Sequence, residues 1–141
     1  MFLDDLLFIA PENDLLQSAQ GNFARQLIVC VLHEPDFPQN KDFLEKILTA
    51  AKLNMAQDAL YVEIAGTEAF SLLLAIQKRH ARQVLVFGVP PKQLGLSIQV
   101  PLYQPFEFYG ADFLFAEKLS LLEPDRDRKG RLWAALKAMF L

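Results

Sequence analysis

An apolar run at residues 27–32, Leu-Ile-Val-Cys-Val-Leu, leads directly into His33, Glu34, Pro35 and Asp36. An imidazole and two carboxylates at the carboxyl end of a buried strand are the groups from which a general base is drawn. His, or a Glu partly removed from water, titrates near neutrality. The same residues also suit a proline-rich turn with solvated side chains, and the sequence leaves both readings open. A second run, Val-Leu-Val-Phe at residues 84–87, ends at Gly88, where the backbone can turn sharply, and Pro90 and Pro91 then stop ladder pairing. Its loop offers Lys92 and Gln93, with no acid, no Ser or Thr, and none of the glycine spacing of a phosphate cradle. Glu117 follows a third run, residues 112–116. Open α/β sheets bind ligands at the carboxyl ends of their strands. His33, Glu34, Asp36, Gly88, Lys92, Gln93 and Glu117 therefore form the candidate cleft. A narrow, base-sized pocket there favours an enzyme, whereas a rim filled by Pro90, Pro91 and nearby aromatics favours a scaffold.

Positioning these residues requires an alternating chain. Strands are expected at 27–32, 60–64, 84–87 and 112–115, and helices at 40–52, 67–79 and 125–139. Asn40 and Thr67 are expected to cap the first two helices, and Pro124-Asp125 opens the third. The alternation predicts an α/β fold of three αβα layers, with a short, mainly parallel four-stranded sheet. Residues 97–100 and 106–110 read as two short extended pieces around a proline-bounded bend, and 117–123 as a connector with a helical turn.

The chain has 141 residues, 52% apolar and 22% charged, which suits one globular domain and excludes a disordered class. Residues 25–141 are read as that domain, and residues 1–24 as an N-terminal amphipathic segment with Phe2, Leu3, Leu6 and Leu7 on one face and Asp4 and Asp5 opposite. This face either covers the domain's own core or docks in a partner's groove. Asn13 or Asp14 is placed to cap a second short helix running through Phe23. The single cysteine, Cys30, and the absence of a basic leader or a membrane-length apolar stretch imply a cytoplasmic protein.

A net charge of -3 supplies no global field for nucleic acid. Lys78, Arg79, His80 and Arg82 oppose a helix dipole, and Asp125 and Asp127 offset Arg126, Arg128, Lys129 and Arg131. Phe106, Phe108 and Tyr109 serve as core filling or, less readily, as base-stacking platforms. Contact with nucleic acid is thus expected to be indirect or weak. No metal-ligand set or cofactor motif is evident.

Two stretches resemble a known family. Leu32-His33-Glu34-Pro35-Asp36 is similar to the water-activating Gly-Gln-Asp-Pro-Tyr segment of uracil-DNA glycosylases, with Glu34 at the catalytic Asp position. Residues 84–95 are similar to that family's Leu-Leu-Trp-Gly-x-x-Ala-Gln-x-x-Gly stretch. The family's His-Pro-Ser-Pro after the last strand is replaced by Glu117-Lys118-Leu119-Ser120, and its second-strand Asn by Ala65-Gly66-Thr67. Deglycosylation needs both an activated water and stabilisation of the leaving anion, and the sequence supplies nothing for the second. The order of elements over residues 25–139, with Leu119, Leu122 and Leu132-Trp133, more closely resembles the psi-subunit family of the bacterial DNA polymerase III clamp-loader complex. That resemblance implies a glycosylase-like fold without catalysis, acting in DNA replication, with an N-terminal arm at residues 1–24 that docks on other subunits. The runner-up is a diverged glycosylase-like enzyme using Glu34, with His33 or Lys92 nearby. A flavodoxin-like or receiver-like domain is opposed by the absence of an Asp after residues 84–87 and of a Ser/Thr-rich phosphate loop.

Overall fold

The computed structural model describes residues 19–66 and 69–141. Four parallel strands, β1 (Leu27–Leu32), β2 (Ala59–Ile64), β3 (Gln83–Phe87) and β5 (Ala111–Ala116), are joined by an antiparallel edge strand, β4 (Phe106–Phe108), in the order β2-β1-β3-β5-β4. β1 is an interior strand: Leu27 is in register with Ala59 on one side and with Gln83 on the other. Apolar residues at nearly every position of β1 and β3 explain their burial on both faces. The sheet is α/β as expected, but five-stranded. The extra strand comes from the second of the two extended pieces, whose Phe106 and Phe108 partner Phe113 and Ala111. The first piece forms no strand; residues 97–100 instead cover the sheet with Ile98 and Val100.

One face carries α1 (Asn40–Ala50), α2 (Met55–Asp58), α4 (Leu119–Leu122) and α5 (Arg126–Phe140) over Leu27, Val29, Val31, Leu85 and Leu114. The other carries α3 (Leu72–Arg79) and the 88–100 segment over Ile28, Cys30, Val84 and Val86. The connections after β1 and β3 therefore leave on opposite faces. This makes the carboxyl ends of these neighbouring strands the point at which such a sheet usually opens a crevice.

Several helix starts differ from expectation. Gln39, not Asn40, occupies the N-cap of α1, and Asn40 is the first helical residue, buried with its side chain turned to Glu63. α3 begins after Ser71, whose hydroxyl accepts from the Leu74 N–H; Thr67 lies outside the described residues. α2 was not expected at all, although Asn54 caps it by accepting from the Gln57 N–H. α5 starts as expected, with Asp125 accepting from the Arg128 N–H.

Residues 19–23 are not helical. Gln20 bridges Tyr61 antiparallel at the outer edge of β2, and Phe23 has a φ of 59°. Gly21, at φ +126°, sits so close to β2 that an added Cβ would lie 2.0 Å from the Ala59 carbonyl oxygen. No helix among the described residues is long and apolar enough to cross a membrane.

Candidate functional site

The crevice position between β1 and β3 is filled by the chain itself. Gly88 takes a left-handed φ of +82° and donates its N–H to the Ala116 carbonyl, which draws the end of β3 onto the end of β5. A Cβ at Gly88 would stand 2.7 Å from Lys118 Cβ, 2.8 Å from Lys118 Cα and 3.2 Å from Leu32 Cβ. Glu34 closes the same region from β1. Its carboxylate accepts the Ser120 N–H at 3.2 Å and the Ser120 hydroxyl through a second, shorter bond. The carboxylate matching the family's water-activating position is thus bound to the first turn of α4.

Glu117 is likewise engaged. It accepts the Tyr103 hydroxyl at 2.8 Å and Arg128 Nε at 2.7 Å, while Arg128 Nη1 donates to Asp125 at 2.6 Å. Burial and the hydrogen bond to Glu117 push the Tyr103 hydroxyl up to about 12. The Arg128 N–H bond and the guanidinium charge hold Asp125 below its ordinary value, and the bond to Glu117 raises Arg128. Beside Glu117 an open hollow of about 310 Å³ runs between the 88–102 segment and α4. Its walls are mainly apolar, with Val89, Pro90, Pro91, Leu102, Phe115 and Leu121 prominent.

His33 joins a different group. Its Nδ1 meets Glu63 Oε2, Tyr61 donates its hydroxyl to Glu63 Oε1 at 2.6 Å, and Asn40 also bonds to this carboxylate. Burial alone would raise Glu63, but the bonds from Tyr61, His33 and Asn40 and the imidazole charge outweigh it and hold the carboxyl below its usual range. Burial and the neighbouring Glu63 push Tyr61 well above an ordinary phenol. The imidazole is half exposed, at 50% of its side-chain surface.

The remaining candidates do not converge. Asp36 and Lys92 are exposed, and Gln93 turns away from the rim to donate to the Ala65 carbonyl at 2.6 Å. Of the expected cleft, only Gly88 and Glu117 line the apolar hollow. Phe2, Leu3, Leu6 and Leu7, the expected partner-binding face, lie outside the described residues. Phe106 stacks on Phe113 and Phe115, 5.6 and 6.0 Å between ring centres, so these rings pack against each other in the core. No group of three potential metal-ligating side chains occurs among the described residues.

Sequence reasoning missed Glu63, Tyr61, Tyr103, Arg128 and Ser120. The alternation of β2 carried a signal for the first pair, because Tyr61 and Glu63 interrupt its apolar run two residues apart and so share a face. Nothing local linked Ser120 to Glu34 or Tyr103 to Glu117, which are 86 and 14 residues apart. Together the fold and this rim describe an α/β protein with a five-stranded, mainly parallel sheet, whose ligand crevice is occupied by its own turn. Comparison of the sequence with known protein families and with characterised proteins finds no match to either.

Proposed function

We propose that the chain is a non-catalytic protein-interaction module, a psi-like accessory subunit of the DNA polymerase III clamp-loader complex with a uracil-DNA glycosylase-like fold. One observation carries the non-catalytic reading: the two carboxylates nearest the strand ends are committed within the protein, Glu34 to Ser120 and Glu117 to Tyr103 and Arg128. A water-activating base needs a free lone pair beside space for its substrate. Here Lys118 and Leu32 take that space against Gly88. The rim next to them offers Pro90, Pro91, Leu102 and Leu121, a surface suited to apolar contact. The glycosylase-like fold draws on the resemblance of residues 32–36 and 84–95 to uracil-DNA glycosylases, and the psi-like assignment with its setting in DNA replication on the order of elements over residues 25–139 with Leu119, Leu122 and Leu132-Trp133. The test is affinity purification of the full chain with purified clamp-loader subunits. Stoichiometric co-elution is the expected result; repeated elution alone removes the assignment.

The diverged glycosylase-like enzyme using Glu34 keeps one observation in its favour. A half-exposed imidazole held by a carboxylate, as His33 is by Glu63, is how general bases are commonly oriented. Incubation with uracil-containing single-stranded DNA decides between them. Uracil release that disappears in Glu34→Gln or His33→Ala supports the enzyme, and no release supports the module.

A further inference from the structure

In the sequence, Asp125 and Asp127 offset the cations at the start of α5; in the structure one of these acids is already spent. Asp125 is committed to Arg128, which also holds Glu117. Three ion pairs form among the described residues, and Arg126, Lys129, Arg131 and Lys137 take part in none of them. Arg126, Lys129 and Lys137 are exposed, and with Trp133 they follow one another at helical spacing along one side of α5. Asp127 is turned about 100° around the axis from Arg126, toward Arg131. No acidic residue of α5 lies in the stripe.

Helix stability does not account for these cations. Arg126 opens α5 and Lys129 follows within the same turn, at the end where the helix dipole disfavours positive charge. Leu132, Ala135 and Leu136 hold the helix to the core without them. The size of the stripe narrows the choice of occupant. From Arg126 to Lys137 is roughly 16 Å along the axis, the reach of about five extended residues. Past Lys137 the stripe meets only Arg25, which lies 5.9 Å over the Phe140 ring and lines a hollow with Glu107 and Asp112. Those acids end the cationic surface.

Lys137 also stands over the Trp133 ring, 5.8 Å from its centre, and Trp133 packs against the core, so the ring is no platform for a base. So short a stripe, on a chain of net charge -3, is poorly suited to a long polyanion such as nucleic acid. A few carboxylates on a short segment match it in charge and in length. We infer that this side of α5 is the docking surface for a short acidic segment of a partner protein, whose carboxylates meet Arg126, Lys129 and Lys137. The inference goes beyond the module reading, because it stands whether or not the partner belongs to a clamp loader.

Fluorescence polarisation of the full chain tests it, with a labelled octapeptide of alternating Asp and Glu as the probe at low salt. Saturable binding is expected, and the combined changes Arg126→Gln, Lys129→Gln and Lys137→Gln should weaken it about tenfold or more, since three exposed charge contacts are lost together. The combined changes Lys46→Gln, Lys52→Gln and Arg79→Gln remove as much charge from exposed positions elsewhere and should leave binding unchanged. Four results overturn the inference. They are no saturable binding, equal weakening by both sets of changes, tighter stripe-dependent binding of an oligothymidylate of equal charge, and stripe-dependent sedimentation with phosphatidylserine vesicles. The last two make nucleic acid or a membrane the occupant. Reversal of the same three residues to Glu repeats the measurement, so a folding defect in one variant cannot decide the outcome. Co-elution with clamp-loader subunits is read separately, so either result can fail without the other.

Discussion

If Glu34 serves as a cap rather than as a base, it must be energetically coupled to Ser120. Its carboxylate receives both the Ser120 N–H and the Ser120 hydroxyl, and both residues are partly buried. Hydrogen bonds to a charged group contribute about 1.5–3 kcal/mol each when well shielded, and partial exposure places these near the lower end. Glu34→Ala, which removes both bonds, is therefore expected to cost about 2–3 kcal/mol and Ser120→Ala about 1–1.5 kcal/mol, because the alanine keeps its N–H bond. The double variant should fall short of the sum by about 0.5–1 kcal/mol, the energy of the shared hydroxyl bond. Urea unfolding of the four proteins, with equal m-values, measures the cycle. Additivity within about 0.3 kcal/mol would mean that the hydroxyl bond is not made in solution, and together with a Glu34→Ala cost near zero it would mean that the carboxylate is free and the non-catalytic reading loses its main support.

Three further outcomes follow from other parts of the rim and core. Gly88→Ala combines a left-handed φ with Cβ contacts of 2.7 and 2.8 Å to Lys118, and should destabilise the fold by about 2–4 kcal/mol in thermal melts; a change within experimental error would contradict the close approach. Glu63 is held below its ordinary pKa, so its contribution is complete above the unfolded value of about 4.3 and is lost as pH falls through the lower folded value. Glu63→Gln should accordingly flatten the acid limb of stability against pH, and an unchanged limb would assign the acid sensitivity to other groups. Cys30 is fully buried, with its thiol pushed up to about 12 by burial, and should react with a thiol reagent only as fast as the protein unfolds. Rapid labelling of the folded protein would contradict its place in β1.

The pattern of apolar runs was enough to read the parallel strands, because β1 and β3 are buried on both faces and carry almost nothing else. β4 escaped as a strand because three residues, partly exposed, leave little pattern, and their pairing depends on the Tyr109-Gly110 turn. The candidate cleft was legible as a place and not as a set of partners. Strand ends located Glu34, Gly88 and Glu117 at one rim, but the side chains that engage them come from α4, α5 and residue 103, whose arrival there is set by tertiary packing.

Asn40 illustrates the cause most clearly. Its type and position before an amphipathic run suit an N-cap, yet Glu63 on β2 presents a carboxylate in the same place, and a charge-assisted bond to a partly buried acid is stronger than a neutral cap. The helix moves its start by one residue, and Asn40 joins His33 and Tyr61 around that acid. The same competition explains the rim as a whole. The three carboxylates Glu34, Glu63 and Glu117 each meet donors supplied by the fold, whereas Asp36 and Lys92 stay exposed. The hollow left open at the carboxyl edge is walled mainly by apolar side chains, among them the exposed Leu102 and Leu121, the kind of surface that suits apolar contact.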